Sequence, residues 1–289
     1  MRSVTLVSSV ALSAPNTDPK LLMPFDLALV GSQIWVTSRT SSLVCKYDHK
    51  GCLQGTISIP TPTGICTSKP KKCHGKCSKS RCVCSTTYVA SANGSVYKLT
   101  GDTATIYVSP GGLLTGVAWF DDRLYVVDNQ SGYVAVYTDG DTSKAERALI
   151  DEALFAVGYK PYGIRVLGCR IYITYSNMSA RQGAGYVSVY DPKKCSDLVR
   201  IINRVNLAIP YGLVERETGL MVGNAGSGYI SQFMVDRDIA VYTLNLQNPT
   251  RGDIVVDGIM GMERCGNRIY YVASSDTGNI GSMGVLEDC

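Results

Sequence analysis

A three-residue motif recurs six times along the chain, and its period limits the fold more than any other feature. It reads Pro24-Phe25-Asp26, Pro62-Thr63-Gly64, Leu114-Thr115-Gly116, Pro161-Tyr162-Gly163, Pro210-Tyr211-Gly212 and Ile259-Met260-Gly261, at spacings of 38, 52, 47, 49 and 49 residues. After each copy the same order follows: an apolar strand, a tight polar turn, a β-rich strand such as "RLYVVD" or "RIYITY", a Gly/Ser/Asn loop, and a third strand such as "GYVAVYT". Short Val/Ile/Tyr-rich runs bounded by turn residues are the pattern of strands and hairpins. Repeats of this length, with three to four strands each, form blades of a β-propeller. The expected fold is therefore all-β, with residues 1–289 forming a single six-bladed β-propeller.

The sixth unit ends just after its third strand, so its outermost strand has to come from elsewhere. The stretch "SVTLVSS" at the other end of the chain can supply it. Pairing the two ends in this way closes the ring and removes two open sheet edges. The surrounding "MRSVTLVSSVALSAP" has an apolar centre, but Ser3, Ser8, Ser9 and Ser13 interrupt it, and it reads as a strand rather than a secretory leader. One segment, Ser143–Val157, carries helical periodicity and predicts a surface helix between blades. Eighteen Tyr against four Phe suits half-exposed strands whose rings keep a polar end wet.

A hydrophobic content of 45% with 18% charged residues excludes a disordered chain, and no apolar run is long enough to span a bilayer. The net charge of +4 is local. Six basic residues (Lys69, Lys71, Lys72, Lys76, Lys79 and Arg81) lie in the cysteine-rich stretch Cys66–Cys84, an insertion within blade two. The remainder holds 22 basic against 24 acidic residues, which gives no basic face for nucleic acid.

The stretches "LVSSVALSAPNTDPKLLMPFDLAL", "KPYGIRVLGCRIYITYS…GAGYVSVYDP", "IPYGLVERETGLMVGNAGSGYISQF" and "VVDGIMGMERCGNRIYYVAS" carry a resemblance that covers nearly the whole chain. They are similar, in the same order, to a family of NHL-like six-bladed propellers that open on a Leu-Val-Ser strand and a Thr-Asp-Pro. That family is mostly bacterial, has relatives in large DNA viruses, and brings no established activity. The Cys66–Cys84 insertion and the total of 11 cysteines depart from its pattern.

The repeats make the cysteines interpretable. Cys169 and Cys265 occupy the same turn, between the first two strands of blades four and six, and Cys195 and Cys289 both fall just past the third strand. The shared register predicts two equivalent disulfides, Cys169–Cys195 and Cys265–Cys289, each stapling one blade, against the alternative of four unpaired thiols. Each staple would contribute about 2–4 kcal/mol. In the insertion, Cys66, Cys73, Cys77, Cys82 and Cys84 can form a disulfide knot, with Cys52 or Cys45 as a further partner. Alternatively, Cys73, His74, Cys77, Cys82 and Cys84 can supply a zinc site, although the Cys82-x-Cys84 spacing is tight for one. Reduced thiols are the third reading. Disulfides need an oxidising setting, and the expected location is a virion oxidised during assembly or an extracellular layer reached without an N-terminal leader.

Chemistry is sparse. The two histidines, His49 in a hairpin turn and His74 in the insertion, offer no base for a Ser-His-Asp or Cys-His arrangement. A channel calcium would draw on Asp26, Asn93, Asp128, Asn129, Asn177, Asn224 and Asp276, with Asp26 and Asp128 the carboxylates best placed by the pattern. Asn and Asp beside Gly are equally turn formers. Three sequons, at Asn93, Asn129 and Asn177, fall in the same loop of consecutive blades and are candidate N-glycosylation sites. The expectation is a non-enzymatic binding or structural module that contacts other proteins of a virion or extracellular assembly, with glycans as a further class of partner. The alternative is a metal-dependent hydrolase or lyase using the channel.

Overall fold

The computed structural model describes residues 2–8, 16–68, 85–177, 185–192, 198–203, 207–216, 219–236, 239–247, 258–274 and 281–287. Six antiparallel sheets lie within them. Blade one comprises Pro24–Val30, Gln33–Ser38, Leu43–Tyr47 and Leu53–Ser58; blade two comprises Pro62–Thr67, Thr87–Ser91, Val96–Thr100 and Thr103–Val108. Blade three is built from Leu114–Phe120, Arg123–Asp128, Tyr133–Thr138 and Arg147–Leu149, and blade four from Lys160–Leu167, Arg170–Ser176, Gly185–Tyr190 and Leu198–Asn203. Blade five holds Pro210–Arg216, Gly219–Asn224, Tyr229–Asp236 and Ile239–Gln247; blade six holds Gly258–Cys265, Arg268–Ser274 and Gly281–Glu287. The first strands of successive blades pack on one another in a ring that returns from blade six to blade one. The six-bladed propeller expected from the repeat is the fold.

Ring closure also follows the expectation. Arg2–Ser8 pairs antiparallel with Gly281–Glu287, from Arg2 opposite Glu287 to Ser8 opposite Ser282. A short strand, Asn16–Thr17, then adds in parallel beside Val7 and Ser8 and covers part of the new edge.

The core is six hydrophobic clusters among the described residues, each centred on the seam between two neighbouring blades, with Tyr211 of blade five joining the cluster between blades one and six. Alternation along a strand explains this arrangement. Trp35 and Val44 face Ile65 and Val89 of blade two, whereas Ile34, Val36 and Cys45 turn the other way toward Tyr270, Val272 and Val285 of blade six. Both faces of a blade are buried, so its middle strands read as nearly continuous apolar runs. Each Val, Leu or Ile so buried contributes about 1.5–3 kcal/mol.

The motif that set the period has a structural cause. In every blade the register between first and second strands slips at the motif, for example between Pro24 and Leu27 or between Pro161 and Ile164. Such a bulge turns the first strand toward the axis. The third motif position is glycine in five copies because the neighbouring backbone passes so close. A Cβ on Gly163 would lie 2.0 Å from the Tyr211 carbonyl oxygen, and one on Gly212 would lie 2.1 Å from that of Met260. Hydroxyls then stitch blade to blade: Thr63 Oγ1 donates to the Leu114 carbonyl at 2.9 Å, and Thr115 Oγ1 to that of Tyr162 at 2.8 Å.

The expected helix over Ser143–Val157 is a correction. Arg147–Leu149 instead forms the fourth strand of blade three, and the helix is confined to Glu152–Ala156, capped by the Asp151 carboxylate at 3.2 Å from the Leu154 amide. The strand wins because it buries Leu149 in the interface of blades three and four, and Leu154 fills the same cluster from the short helix.

Candidate functional site

Two positions recur on the first strand of every blade, at the inner ring of the propeller. The first is the third motif position, where five glycines leave blade one alone with a side chain, Asp26. The second lies two residues further along each first strand: Ala28, Cys66, Ala118, Arg165, Val214 and Glu263. One cation and one anion stand among small and apolar residues there.

Above them the neck of the channel is crossed by aromatic rings. Phe25 and Tyr211 meet edge to face with centroids 4.8 Å apart, the Tyr211 hydroxyl donates to the Thr115 carbonyl of blade three, and the Arg39 guanidinium lies 5.7 Å from the Phe25 ring centre. Burial raises the Tyr211 phenol well above its ordinary value, so it stays protonated and a donor.

Below the neck, Arg165 is the centre of a charged cluster. Its Nη1 lies 3.1 Å from Glu263 Oε2, its Nη2 lies 3.7 Å from Asp26 Oδ1, and Nη2 donates to the Met262 and Leu27 carbonyls. The Asp26 carboxylate accepts from the Leu27 amide at 2.9 Å and from the Ile65 amide of blade two at 3.2 Å. Despite these partners, burial raises its pKa from the ordinary 3.8 to about 6, with Glu263 adding a small push in the same direction. Cys66 faces the same cluster from blade two, and burial drives its thiol far above the usual range. A cavity of about 500 Å³ opens beside the cluster, lined by Cys66, Ala118, Trp119, Arg165, Val166 and Glu263. Trp119 is held in place by stacking on Tyr88, 5.1 Å away and nearly parallel.

The structure does not bring the two calcium candidates into one constellation. Asp26 is engaged as above, whereas Asp128 accepts from Leu113, Gln130 and Ser131 of its own blade and holds the loop after the second strand. Asn224 is likewise a turn residue, bonded to Ala208, Tyr229 and Ser231. Asp276 lies outside the described residues. Among the described residues no group of three or more His, Cys, Asp or Glu is arranged to hold a metal. His49 does not face the channel. Its Nδ1 lies 2.9 Å from the Tyr270 hydroxyl, which ties blade one to blade six at the ring closure.

The three sequons follow the second strands of blades two, three and four and differ in exposure. Asn93 is exposed, in a turn where its Nδ2 donates to the Tyr97 hydroxyl, and Asn177 is half-buried. Asn129 is 6% exposed and its Nδ2 donates to the Pro161 carbonyl at 2.9 Å. That bond links the loop of blade three to the first strand of blade four.

Cys169 and Cys265 are exposed at equivalent turns. The third strand of blade four ends at Tyr190 opposite Ile171, and that of blade six at Glu287 opposite Arg268, both at the end of the blade that carries these turns. The expected partners Cys195 and Cys289 lie outside the described residues, as do Cys73, His74, Cys77, Cys82 and Cys84 of the insertion. Among the described cysteines Cys45, Cys52, Cys66, Cys169 and Cys265 none is bridged to another. Cys66 itself belongs to the first strand of blade two and is buried. Sequence reading missed Arg165, Glu263 and Trp119. Aligning the six motifs and reading two positions past each one would have exposed the first two as the charged exceptions.

The geometry is that of a six-bladed propeller with a charged cluster between its first strands, and known structures agree on the fold. The chain superimposes on a streptogramin B lyase with a TM-score of 0.57 at 11% identity, covering 92% of this chain and 95% of that one. A chain of a nidogen/laminin complex gives 0.58 at 14% identity, covering 92% of each. A chain of hydrazine synthase from Kuenenia stuttgartiensis gives 0.60 at 12% identity, covering 97% of this chain and 99% of that one. In sequence, two uncharacterised proteins of Acanthamoeba polyphaga mimivirus are similar over 97% of this chain. One is 26% identical over 78% of its own length and the other 25% identical over 84%. No family model matches the chain.

Proposed function

We propose that the chain is a non-enzymatic binding module that makes protein–protein contacts as a component of a virion or of an extracellular layer. The observation that carries this reading is the use made of the channel charges. Asp26 and Glu263 are engaged by Arg165 and by backbone amides, so they brace blades one, two, four and six against each other instead of converging on an open coordination site. The similarity to viral proteins over 97% of the chain supports the virion setting, and a propeller in a nidogen/laminin complex supports the use of this scaffold for partners. The streptogramin B lyase on the same scaffold keeps the alternative in view, a hydrolase or lyase with a divalent ion in the channel.

Two staples, Cys169–Cys195 and Cys265–Cys289, belong to this reading, with the remaining insertion cysteines paired or holding zinc. The test is non-reducing peptide mapping of the protein purified from its native source, alongside thermal unfolding with and without millimolar calcium. Both staples and an unchanged melting temperature are expected. Fully alkylatable thiols would overturn the oxidised virion or extracellular setting. A calcium-induced rise in melting temperature that Asp26→Asn abolishes would move the protein to the enzymatic alternative.

A further inference from the structure

We infer that the cavity beside Arg165 and Glu263 is a recognition site for a guanidinium or alkylammonium group, of the kind an arginine or lysine side chain presents. The inference rests on the binding-module reading above and names the chemistry of what that module takes. Three observations point to a cation. Two carboxylates, Asp26 and Glu263, face a single guanidinium, so the cluster carries an uncompensated negative charge whenever Asp26 is ionised. Glu263 is the more accessible of the two and lines the cavity, whereas Asp26 does not, so a carboxylate stands where a ligand can reach it. Trp119 lines the same space, and an indole is the strongest aromatic partner for a cation.

Size and surroundings agree. About 500 Å³ accommodates a complete long side chain, and the remaining wall comes from Val117, Ala118 and Val166 with Thr67 and the protonated Cys66 thiol as polar contacts. The groups that face Asp26 come from four blades: Arg165 from blade four, Glu263 from blade six, Cys66 from blade two and Tyr211 from blade five. Arg165 is the only cation among them, and Cys66 and Tyr211 stay neutral because burial raises both. Burial lifts the Asp26 pKa to about 6 even though Arg165 and two backbone amides oppose the rise. A bound cation would pull that value down, so binding and Asp26 ionisation are linked. Affinity then rises with pH through about 6 and falls below it.

The chain has two tryptophans, Trp35 and Trp119, so Trp35→Phe leaves Trp119 as the sole indole reporter. Emission of this variant is titrated with n-butylguanidinium, with its neutral isostere n-butylurea, and with butyrate, at pH 7 and pH 5. A saturable change with butylguanidinium alone is expected, with a dissociation constant in the millimolar range. The constant should be weaker by about tenfold at pH 5, the factor that one unit below Asp26's pKa allows, and weaker again in Glu263→Gln. The pH series needs no variant at the site, so it decides the matter even if Glu263→Gln is unstable. Equal responses to butylurea or butyrate, no saturation, or a pH-independent constant would overturn the inference. Butylguanidinium binding without any protein partner in the native assembly would instead sink the binding-module reading and leave the site standing. Partner capture unaffected by Glu263→Gln, with no butylguanidinium binding, would do the reverse.

Discussion

Replacing Arg165 by Met tests the account of the channel more sharply than any other substitution, because the result depends on pH in a direction that can be worked out beforehand. In the native protein burial lifts Asp26 from 3.8 to about 6, so the folded state holds a proton that the unfolded chain releases. Stability associated with this group is present below the unfolded value, falls as pH rises toward 6, and is level above it. Arg165 limits that fall. At 3.7 Å its guanidinium favours the ionised carboxylate by about 4 kcal/mol at an effective dielectric of about 20. Without it Asp26 remains protonated well past neutrality, and the folded state goes on losing about 1.4 kcal/mol of stability per pH unit above 6. Below pH 5 both proteins carry a neutral Asp26, and the variant should be weaker by a constant offset of about 1–3 kcal/mol, from the unpaired Met262 and Leu27 carbonyls and the Glu263 carboxylate left without its partner. Urea unfolding of both proteins under reducing conditions at pH 5, 6, 7 and 8 measures the difference. It should widen with pH by roughly 1.4 kcal/mol per unit between 6 and 8. Parallel stability curves would refute the claim that Arg165 is there to keep Asp26 ionised.

Three further outcomes follow from the packing. Gly163→Ala places a Cβ against the Tyr211 carbonyl oxygen, where the closed ring leaves no room to shift, and should cost about 3 kcal/mol or more in chemical denaturation. Lys46 is buried over the Trp35 ring at 4.4 Å while its partner Asp102 is solvent-exposed, so Lys46→Ala should destabilise by about 1–2 kcal/mol and Asp102→Ala by less than about 0.5 kcal/mol in the same assay. Equal losses would mean that the ion pair rather than the indole contact matters. Deleting residues 1–8 exposes the edge of Gly281–Glu287 and should lower the melting temperature and produce oligomers on size exclusion, both reversed by adding the peptide of residues 1–8.

The fold was legible because one physical constraint repeats. Each first strand has to bulge at the same point and pass within contact of its neighbour's backbone, which demands glycine or a device that replaces it. That demand prints a three-residue motif six times. The closing strand was legible for a similar reason, since the sixth repeat is visibly one strand short. The helix over Ser143–Val157 was misread because the spacing that suggested it comes from two elements in series. Leu149 is buried from a strand and Leu154 from a single helical turn, and a hydrophobic period does not distinguish them.

The site was harder to read because its residues differ in kind and sit in different repeats. Asp26 was identified as an acid at a strand start, but its partner is a guanidinium 139 positions further along the chain, and the second carboxylate lies in the last blade. No local spacing carries that pairing. Only the propeller's symmetry does, by bringing the first strands of all six blades into one ring. In a ring of near-identical units the informative residues are those that break the repeat, and here the breaks are Asp26 in the glycine ring and Arg165 and Glu263 two positions beyond it. An acid placed where every other blade has glycine takes up space the ring otherwise lacks. It persists structurally because its carboxylate replaces the missing backbone contact with two amide bonds into its own strand and blade two. Its charge then requires Arg165, and Arg165 in turn holds Glu263 at the mouth of the cavity, so one departure from glycine accounts for the whole charged lining.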